Sequence, residues 1–142
     1  MKLRKATQND LDTIKSDSLD VSVGILPELY LGDISFACDV GGVMVGCGGL
    51  VVFWNGVAEA WIMLSNKCNI MDDVDRTRMV LLIKHKLKDL IKEHKLWRIG
   101  AIIRPDFPKA VRLAVVLGFE KEGLLRKYAP DGSDRLVYGK VI

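Results

Sequence analysis

The sequence predicts a mixed α/β fold, and three of its features support that prediction. Two turn signals, Gly41-Gly42 and Asn55-Gly56, separate three runs of strand-forming residues, which indicates an antiparallel three-stranded meander. A long segment at 75–94 repeats its apolar residues at helical spacing. Strand-like and helix-like segments then alternate toward the end of the chain, so we expect a central sheet with helices on both faces.

The composition predicts a single domain over residues 1–142. A hydrophobic fraction of 49% and a charged fraction of 27% are ordinary for a soluble globular protein. The net charge of +3 is too small to indicate a nucleic-acid partner, and no apolar stretch is long enough for a bilayer. The three cysteines lack metal-ligand spacing and are typical of free thiols in a reducing compartment. We therefore predict a cytoplasmic protein with no metal, membrane or nucleic-acid partner.

The first half of the chain is predicted to begin with a strand and a helix. Thr7 and Asp10 have the spacing of a capping box with Asp in place of Glu, so the helix starts there and ends near Lys15. Residues 16–32 show little pattern, apart from a short helix around 28–31. The strands predicted in this half cover 2–6, 34–40, 43–53 and 57–64.

The third of these strands contains Gly46, Gly48 and Gly49, which indicates a bulge or a close approach by another backbone. In the second half, Gly118 is typical of a left-handed helix cap with Phe119 packing back on the helix. The segments predicted there are a polar loop at 65–74, helices at 75–94 and 108–117, a strand at 96–103, and a last hairpin formed by LLRKYA and RLVYGKVI.

Residues 106–119, DFPKAVRLAVVLGF, resemble the helix and turn of the GNAT (GCN5-related N-acetyltransferase) superfamily, whose pattern is N-x-x-A-x-x-x-Y-x-x-x-G-F. Ala110, Gly118 and Phe119 match that pattern. The following EKEGLLRKYAPDGSDRLVYG is similar to the family's closing segment, and GVMVGCGGLVVFWNGVAEAWIML is similar to its third and fourth strands. The resemblance covers nearly the whole chain and implies a mostly antiparallel sheet whose fourth and fifth strands splay apart.

The resemblance implies an acetyl-CoA-dependent N-acyltransferase that acts on an amine of a small molecule or a protein. In such a fold the pantetheine arm pairs with the fourth strand, and the pyrophosphate meets the N-terminus of the long helix. Glu59 stands at the family's A-E position and is the candidate general base, with a solvent-facing strand residue as the alternative. The residues implied to bind the cofactor are Met63, Leu64, Ser65, Arg76, Thr77 and Arg78.

The sequence departs from the family in the loop that precedes the long helix. The family motif Q/R-x-x-G-x-G/A falls on Asp73 to Arg78, where Arg76 and Arg78 replace its glycines. Asp72, Asp73 and Asp75 place three carboxylates beside the expected pyrophosphate position, which is unfavourable for an anion. The two arginine side chains could offset this by binding phosphate directly, and the alternative is an ordinary helix N-terminus with the arginines in solvent.

A second departure concerns the proton donor for the departing thiolate. The family's tyrosine falls on Ala114, which has no proton to donate. Tyr128 and Tyr138 are the remaining candidates for that acid, and ordinary strand tyrosines are the alternative. Arg104 and Arg126 are further candidates for holding an anion near the splay.

Two other functions stay open at this point. The long basic helix, the Leu96-Trp97 pair and the missing glycine motif are similar to small GNAT-like internal virion proteins of short-tailed bacteriophages. That similarity implies a non-catalytic structural protein, located in the virion and bound to a phage protein or to a second copy of itself. The other alternative is a regulatory domain that binds CoA without turnover.

Overall fold

The computed structural model describes residues 1–17 and 34–142, and the short helix predicted around 28–31 lies outside that part. The described residues form two compact units. The first comprises Met1–Val51 and Trp61–Lys86, and the second comprises Val52–Ala60 and Leu87–Ile142. The elements, in chain order, are β1 Lys2–Lys5, α1 Gln8–Asp17, β2 Ser35–Val40, β3 Val43–Trp54, β4 Val57–Leu64, a 3-10 helix at Asn66–Ile70, α2 Asp73–Glu93, β5 Arg98–Ile103, α3 Pro108–Val116, β6 Glu120–Leu125 and β7 Arg135–Val141.

Within the described ranges, seven strands form one sheet in the order β1-β2-β3-β4-β5-β7-β6. β4 and β5 run parallel, whereas the pairs β1–β2, β2–β3, β5–β7 and β6–β7 are antiparallel. The parallel pairing joins Val57 to Arg98, Ala58 to Ile99 and Glu59 to Gly100, after which the two strands splay. The mixed, mostly antiparallel sheet with splayed fourth and fifth strands is therefore confirmed.

The first unit contains two clusters of buried apolar side chains. α1 contributes Leu11 and Ile14, which pack with Cys47 of β3 and Met63 of β4. α2 contributes Met79 to the second cluster, whose other members are Cys38, Val45, Cys68 and Met71. All three cysteines are free and buried, and burial raises the pKa of the Cys47 thiol to about 12, so this thiol stays protonated at neutral pH.

The predicted capping box at the start of α1 is confirmed. The Thr7 N–H donates to Asp10 Oδ2 at 2.8 Å, and the Asp10 N–H donates to Thr7 Oγ1 at 3.2 Å. The short Asp side chain reaches back because the same carboxylate is also held by Arg4, whose Nη1 donates to Oδ2 at 2.7 Å. Arg4 continues to Asp39 of β2, so one guanidinium connects β1, α1 and β2.

The glycines of β3 confirm the predicted close approach of another backbone. A Cβ at Gly46 would lie 3.0 Å from the Met63 carbonyl oxygen, and one at Gly48 would lie 2.9 Å from that of Trp61. Both distances are shorter than a normal carbon–oxygen contact, so β4 could not lie in its present position beside a β3 with side chains at these sites.

In the second unit, the predicted end of α3 is also confirmed. Gly118 has a φ of +92°, and the Phe119 N–H donates to the Ala114 carbonyl at 2.9 Å. Phe119 is buried. The Lys140 ammonium of β7 donates to the Leu117 carbonyl at 2.7 Å, which satisfies one of the free carbonyl groups at the helix C-terminus.

Two sequence-based boundaries were wrong. The segment 124–129, LLRKYA, was predicted as a strand, but β6 covers Glu120–Leu125 and the chain then leaves the sheet. Lys127 has a φ of +52°, and its N–H donates to Asp134 Oδ1 rather than to a neighbouring strand. The polar loop predicted at 65–74 contains a 3-10 helix, Asn66–Ile70, because the Ser65 side chain accepts the Lys67 N–H at 3.1 Å and caps it.

Candidate functional site

The end of β4 carries three of the residues predicted to bind a cofactor. Ser65 is fully buried, and its N–H donates to the Val45 carbonyl at 2.9 Å while its own carbonyl accepts the Cys68 N–H at 3.0 Å. Met63 is 5% exposed and packs against α1. Successive strand residues direct their backbone groups to opposite sides, so the N–H and C=O of Leu64 point to the edge of β4 away from β3. Leu64 is thus the best placed of the three to pair with an added strand.

The other three cofactor candidates lie in the first two turns of α2. Asp72 caps this helix, because its carbonyl accepts the Arg76 N–H at 3.0 Å and its carboxylate accepts the Asp75 N–H at 2.8 Å. The Thr77 hydroxyl donates back to the Asp73 carbonyl at 2.9 Å. Arg76 lies 3.7 Å from the fully exposed carboxylate of Asp73. The helix N-terminus, where the family has glycines, therefore presents a carboxylate cap with arginine side chains around it.

Arg76 and Arg78 are both exposed. The Arg76–Asp73 pair is a surface ion pair of the kind that contributes about 0–1 kcal/mol, so a stronger anion could displace it. These two side chains can reach a phosphate group. The backbone of the same turn is less accessible to a phosphate group than the backbone of a glycine loop would be.

Glu59 lies on β4 in the second unit. It is half-buried, and its neighbour Ala58 is 1% exposed. Burial raises the pKa of the Glu59 carboxyl above its ordinary value. A carboxylate with a raised pKa is a better proton acceptor than a fully solvated one, which suits a general base.

The paired strands beside Glu59 carry residues that the sequence analysis missed. Glu59 pairs with Gly100 of β5, and Gly100 pairs with Gly139 of β7. Arg98 forms a two-pronged ion pair with Glu122, in which Nη1 donates to Oε2 at 2.9 Å and Nη2 to Oε1. The two glycines in strand-forming runs were the available signal, but their proximity to Glu59 depends on a register that the sequence does not give.

The predicted proton donors are in different surroundings from Glu59. Tyr138 is 6% exposed. It is adjacent to Gly139 in β7, and adjacent strand residues point to opposite sides of a sheet, so Tyr138 lies on the face opposite to that of Gly139 and Glu59. Tyr128 is 56% exposed and lies in the turn after β6. Ala114, at the position of the family's tyrosine, is buried in α3. The structure thus leaves Tyr128 as an exposed hydroxyl on a turn, and its role as the acid stays a prediction.

Two arginines predicted near the splay have different environments. Arg104 is held by Asp106, whose carboxylate accepts from Nε and Nη2 at 2.8 Å each. Arg126 is exposed in the turn after β6. In the described ranges, no group of three or more His, Cys, Asp and Glu side chains is arranged to hold a metal ion, and no helix there is long and apolar enough to cross a membrane.

Solved structures of N-acetyltransferases superpose on nearly the whole of this chain. An acetyltransferase of the GNAT family from Bacillus anthracis superposes with a TM-score of 0.71 over 98% of this chain and 93% of its own, at 19% identity. The chain has a GNAT fold. A ribosomal-protein-alanine N-acetyltransferase from Brucella melitensis gives a TM-score of 0.67, with 100% of both chains covered at 19% identity. A spermidine N-acetyltransferase from Vibrio cholerae gives 0.69, with 99% and 95% covered at 21% identity.

No family model matches the sequence, and no curated protein sequence matches it. The GNAT fold is therefore recognised through three-dimensional structure, at identities that establish the fold alone. The acceptors of these enzymes range from a polyamine to a protein alanine, so the GNAT fold by itself does not select one. The similarity to phage virion proteins stays a prediction.

Proposed function

We propose that this protein is an acetyl-CoA-dependent N-acyltransferase whose general base is Glu59. The observation that carries the proposal is a half-buried glutamate with a raised pKa, placed on β4 of a GNAT fold where the pairing with β5 ends. That position gives a carboxylate at the beginning of the splay, where the resemblance puts the reacting thioester. A glutamate in the same strand facing bulk water would have its ordinary pKa.

The proposed reaction transfers one acetyl group. The Glu59 carboxylate accepts a proton from the acceptor ammonium, directly or through a water molecule, and the neutral amine attacks the thioester carbonyl carbon. The tetrahedral intermediate then collapses: the carbon–sulfur bond breaks and the CoA thiolate leaves and takes a proton. Tyr128 is the candidate donor of that proton. The products are the acetylated amine and free CoA.

The cofactor would be held by the first unit. The N–H and C=O of Leu64 are directed to pair with the pantetheine arm in the manner of an added strand, with Met63 and Ser65 fixing the strand on either side. The pyrophosphate would meet the N-terminus of α2, where Arg76 and Arg78 supply charge and Thr77 lies in the first two turns. Arginine side chains thus take the part that glycine backbone plays elsewhere.

The test combines binding with turnover. Acetyl-CoA at about 100 times its dissociation constant should stabilise the folded protein by about 2.7 kcal/mol, seen as a higher midpoint of thermal unfolding. CoA release with an amine acceptor should fall roughly 10²- to 10⁴-fold in Glu59→Gln, while the acetyl-CoA shift is retained. Glu93→Gln, at an exposed site near the end of α2, is the matched control and should behave as wild type. An unchanged rate in Glu59→Gln would remove this residue as the base.

Two observations favour a second function. The carboxylate of Asp72 already accepts an N–H at the tip of α2, and Ala114 leaves the tyrosine position without a hydroxyl. Both features fit a GNAT-fold scaffold or a regulatory domain without turnover. Absence of any acetyl-CoA shift would favour the scaffold, and a shift without CoA release across a panel of amines would favour the regulatory domain.

A further inference from the structure

Three residues of the second unit form a row across the sheet. Glu59 of β4 pairs with Gly100 of β5, and Gly100 pairs with Gly139 of β7. Paired residues on neighbouring strands point their side chains to the same face, so neither glycine contributes a side chain to the face that carries the Glu59 side chain. With neighbouring strands ~4.8 Å apart, the row from Glu59 to Gly139 spans about 10 Å.

The space above Gly100 is open. Among the described residues, a Cβ built on Gly100 would meet only the Tyr138 carbonyl oxygen, at 4.0 Å, and the backbone there is not in the left-handed region. Neither the backbone conformation nor packing against the described residues therefore requires glycine at this position. Since a glycine weakens a strand interior, its presence here without a structural reason points to a use for the empty space.

The far side of this space is closed by Glu122. A Cβ on Gly139 would collide with the Glu122 carboxylate, so that carboxylate lies directly over Gly139. Arg98 binds it with two hydrogen bonds, and the pKa of the Glu122 carboxyl is lowered chiefly by that contact. The charge of Glu122 is thus largely balanced by Arg98. Burial causes the pKa shift of Glu59, and no cation among the described residues balances the Glu59 charge in the same way.

Along β5, the space is bounded by Arg98 and Ile102, which lie two residues before and after Gly100 and point to the same face. Residues two apart on a strand are separated by ~7 Å. The Gly100 groove, defined by Glu59, Arg98, Gly100, Ile102 and Glu122, is therefore one residue wide and has a single uncompensated carboxylate, at its Glu59 end.

We infer that the Gly100 groove is the acceptor site, and that it takes an unbranched primary amine, R–CH₂–NH₃⁺, whose alkyl chain lies on the Gly100 backbone. This inference rests on the proposed acyl-transfer function and names its substrate class. The ammonium group sits at the Glu59 carboxylate, which attracts it and accepts its proton. The slim methylene chain fits a floor without side chains, while a branch at the carbon that carries the nitrogen would contact Arg98 or Ile102.

The first test fills the groove. Gly100→Val places a branched side chain on the floor, and we expect the KM for 1-aminobutane to rise at least about 10-fold, because one or two extra methyl groups in a fitted site change discrimination by that order. The KM for acetyl-CoA should not change. The thermal midpoint should stay or rise, since valine is favoured in strands and meets no steric contact here.

Gly123→Val is the matched control. Gly123 lies in β6 of the same unit, and a Cβ there would have no described atom within 4 Å. This variant should keep the wild-type KM for the amine. A folded Gly100→Val enzyme with an unchanged amine KM would overturn the inference, and Gly100→Ala, with a smaller expected effect, guards against a variant that fails to fold.

The second test compares 1-aminobutane with 2-aminobutane, which have the same atoms and differ in branching at the nitrogen-bearing carbon. We expect kcat/KM for the unbranched amine to be at least about 10-fold higher, and Gly100→Ala should lower the value for both. Equal values in the wild type would overturn the acceptor assignment while the acyltransferase function stands. Absence of CoA release with every amine would instead overturn the acyltransferase function, and the acceptor site with it.

Discussion

At the scale of single residues, the buried Asp10 and the half-buried Glu59 show opposite effects of their surroundings on the pKa. The Asp10 carboxylate has a cation and two hydrogen-bond donors, and the hydrogen bonds from Arg4 chiefly lower its pKa to about 2. Glu59 is perturbed by burial alone, which raises its pKa. Asp10 is thus a structural group, because its charge stabilises the fold, whereas the charge on Glu59 costs folding free energy and suits a group kept for chemistry.

The raised pKa of Glu59 predicts a stability change with a definite sign. Its protonated form is favoured in the folded state, so folding stability is lost as pH rises from the ordinary value through the folded pKa. Glu59→Gln removes that cost. We expect the variant to have a higher urea midpoint than wild type at pH 7, and the difference to disappear at about pH 4. Equal midpoints at pH 7 would contradict a burial cost at this position.

The sequence predicted Glu59 as the candidate base but gave no reason to single out Gly100. Glu59 follows from a local pattern, Ala-Glu-Ala, within one strand that resembles a family motif. The role inferred for Gly100 depends on its parallel pairing with Glu59 and its antiparallel pairing with Gly139. Those residues are far apart in the chain, and pairing register across such distances is fixed by the whole sheet rather than by neighbours in sequence.

At the scale of elements, Arg4 connects β1, α1 and β2 through two carboxylates. Its side chain lies 2.7 Å from Asp10 Oδ2 and 2.7 Å from Asp39 Oδ2. Asp10 is 6% exposed, so this contact is poorly screened by water. The Thr7–Asp10 capping box uses the same carboxylate, which makes Asp10 the residue on which the start of α1 and its attachment to the sheet both depend.

Replacing Asp10 should therefore weaken the fold in a pH-dependent way. A pKa lowered to about 2 from an ordinary 3.8 corresponds to about 2 kcal/mol of stability, present above pH 4 and lost as the pH falls through 2. We expect Asp10→Asn to lower the free energy of unfolding by about 2 kcal/mol at pH 7, measured by urea denaturation, and by much less near pH 2. Asp12→Asn, at an exposed position of the same helix, is the control. A loss that does not vary with pH would exclude the charge as its cause.

Element boundaries followed from local signals where the structure uses local contacts. The capping box at Thr7, the cap at Gly118 and the turn at Gly41-Gly42 are made by residues within five positions of one another, and all were predicted correctly. The end of β6 was not, because Lys127 bonds to Asp134 across the turn instead of continuing the strand. The 3-10 helix at Asn66–Ile70 was also missed, since a serine cap is a common residue with many other uses.

At the scale of the whole molecule, fold and sequence similarity have separated. The GNAT fold is shared with solved structures at 19% to 21% identity over nearly the full chain. The features that fix this sheet are the β3 glycines, the end of the β4–β5 pairing after Glu59 and the Gly118 cap. The tip of α2 carries Asp72 and two arginines, where the resemblance in sequence implies a glycine loop. Under the proposed function, the splay would hold the thioester arm, and arginine side chains would recognise the phosphates.

Hydrogen exchange of backbone amides can test separately whether the thioester arm binds along β4 and whether the phosphates bind at the tip of α2. If the pantetheine arm pairs with β4, the Leu64 N–H, which points away from β3, gains a carbonyl partner in the complex. The neighbouring Ser65 N–H already donates to Val45 at 2.9 Å and should change little, so it serves as an internal control. At acetyl-CoA concentrations of about 100 times the dissociation constant, we expect exchange at Leu64 to slow by up to roughly 100-fold.

Slowing at the tip of α2 with none at Leu64 would mean that the phosphates bind and the arm does not follow β4. Equal slowing at Leu64 and Ser65 would indicate general stabilisation of the strand and would contradict a direct pairing with the cofactor.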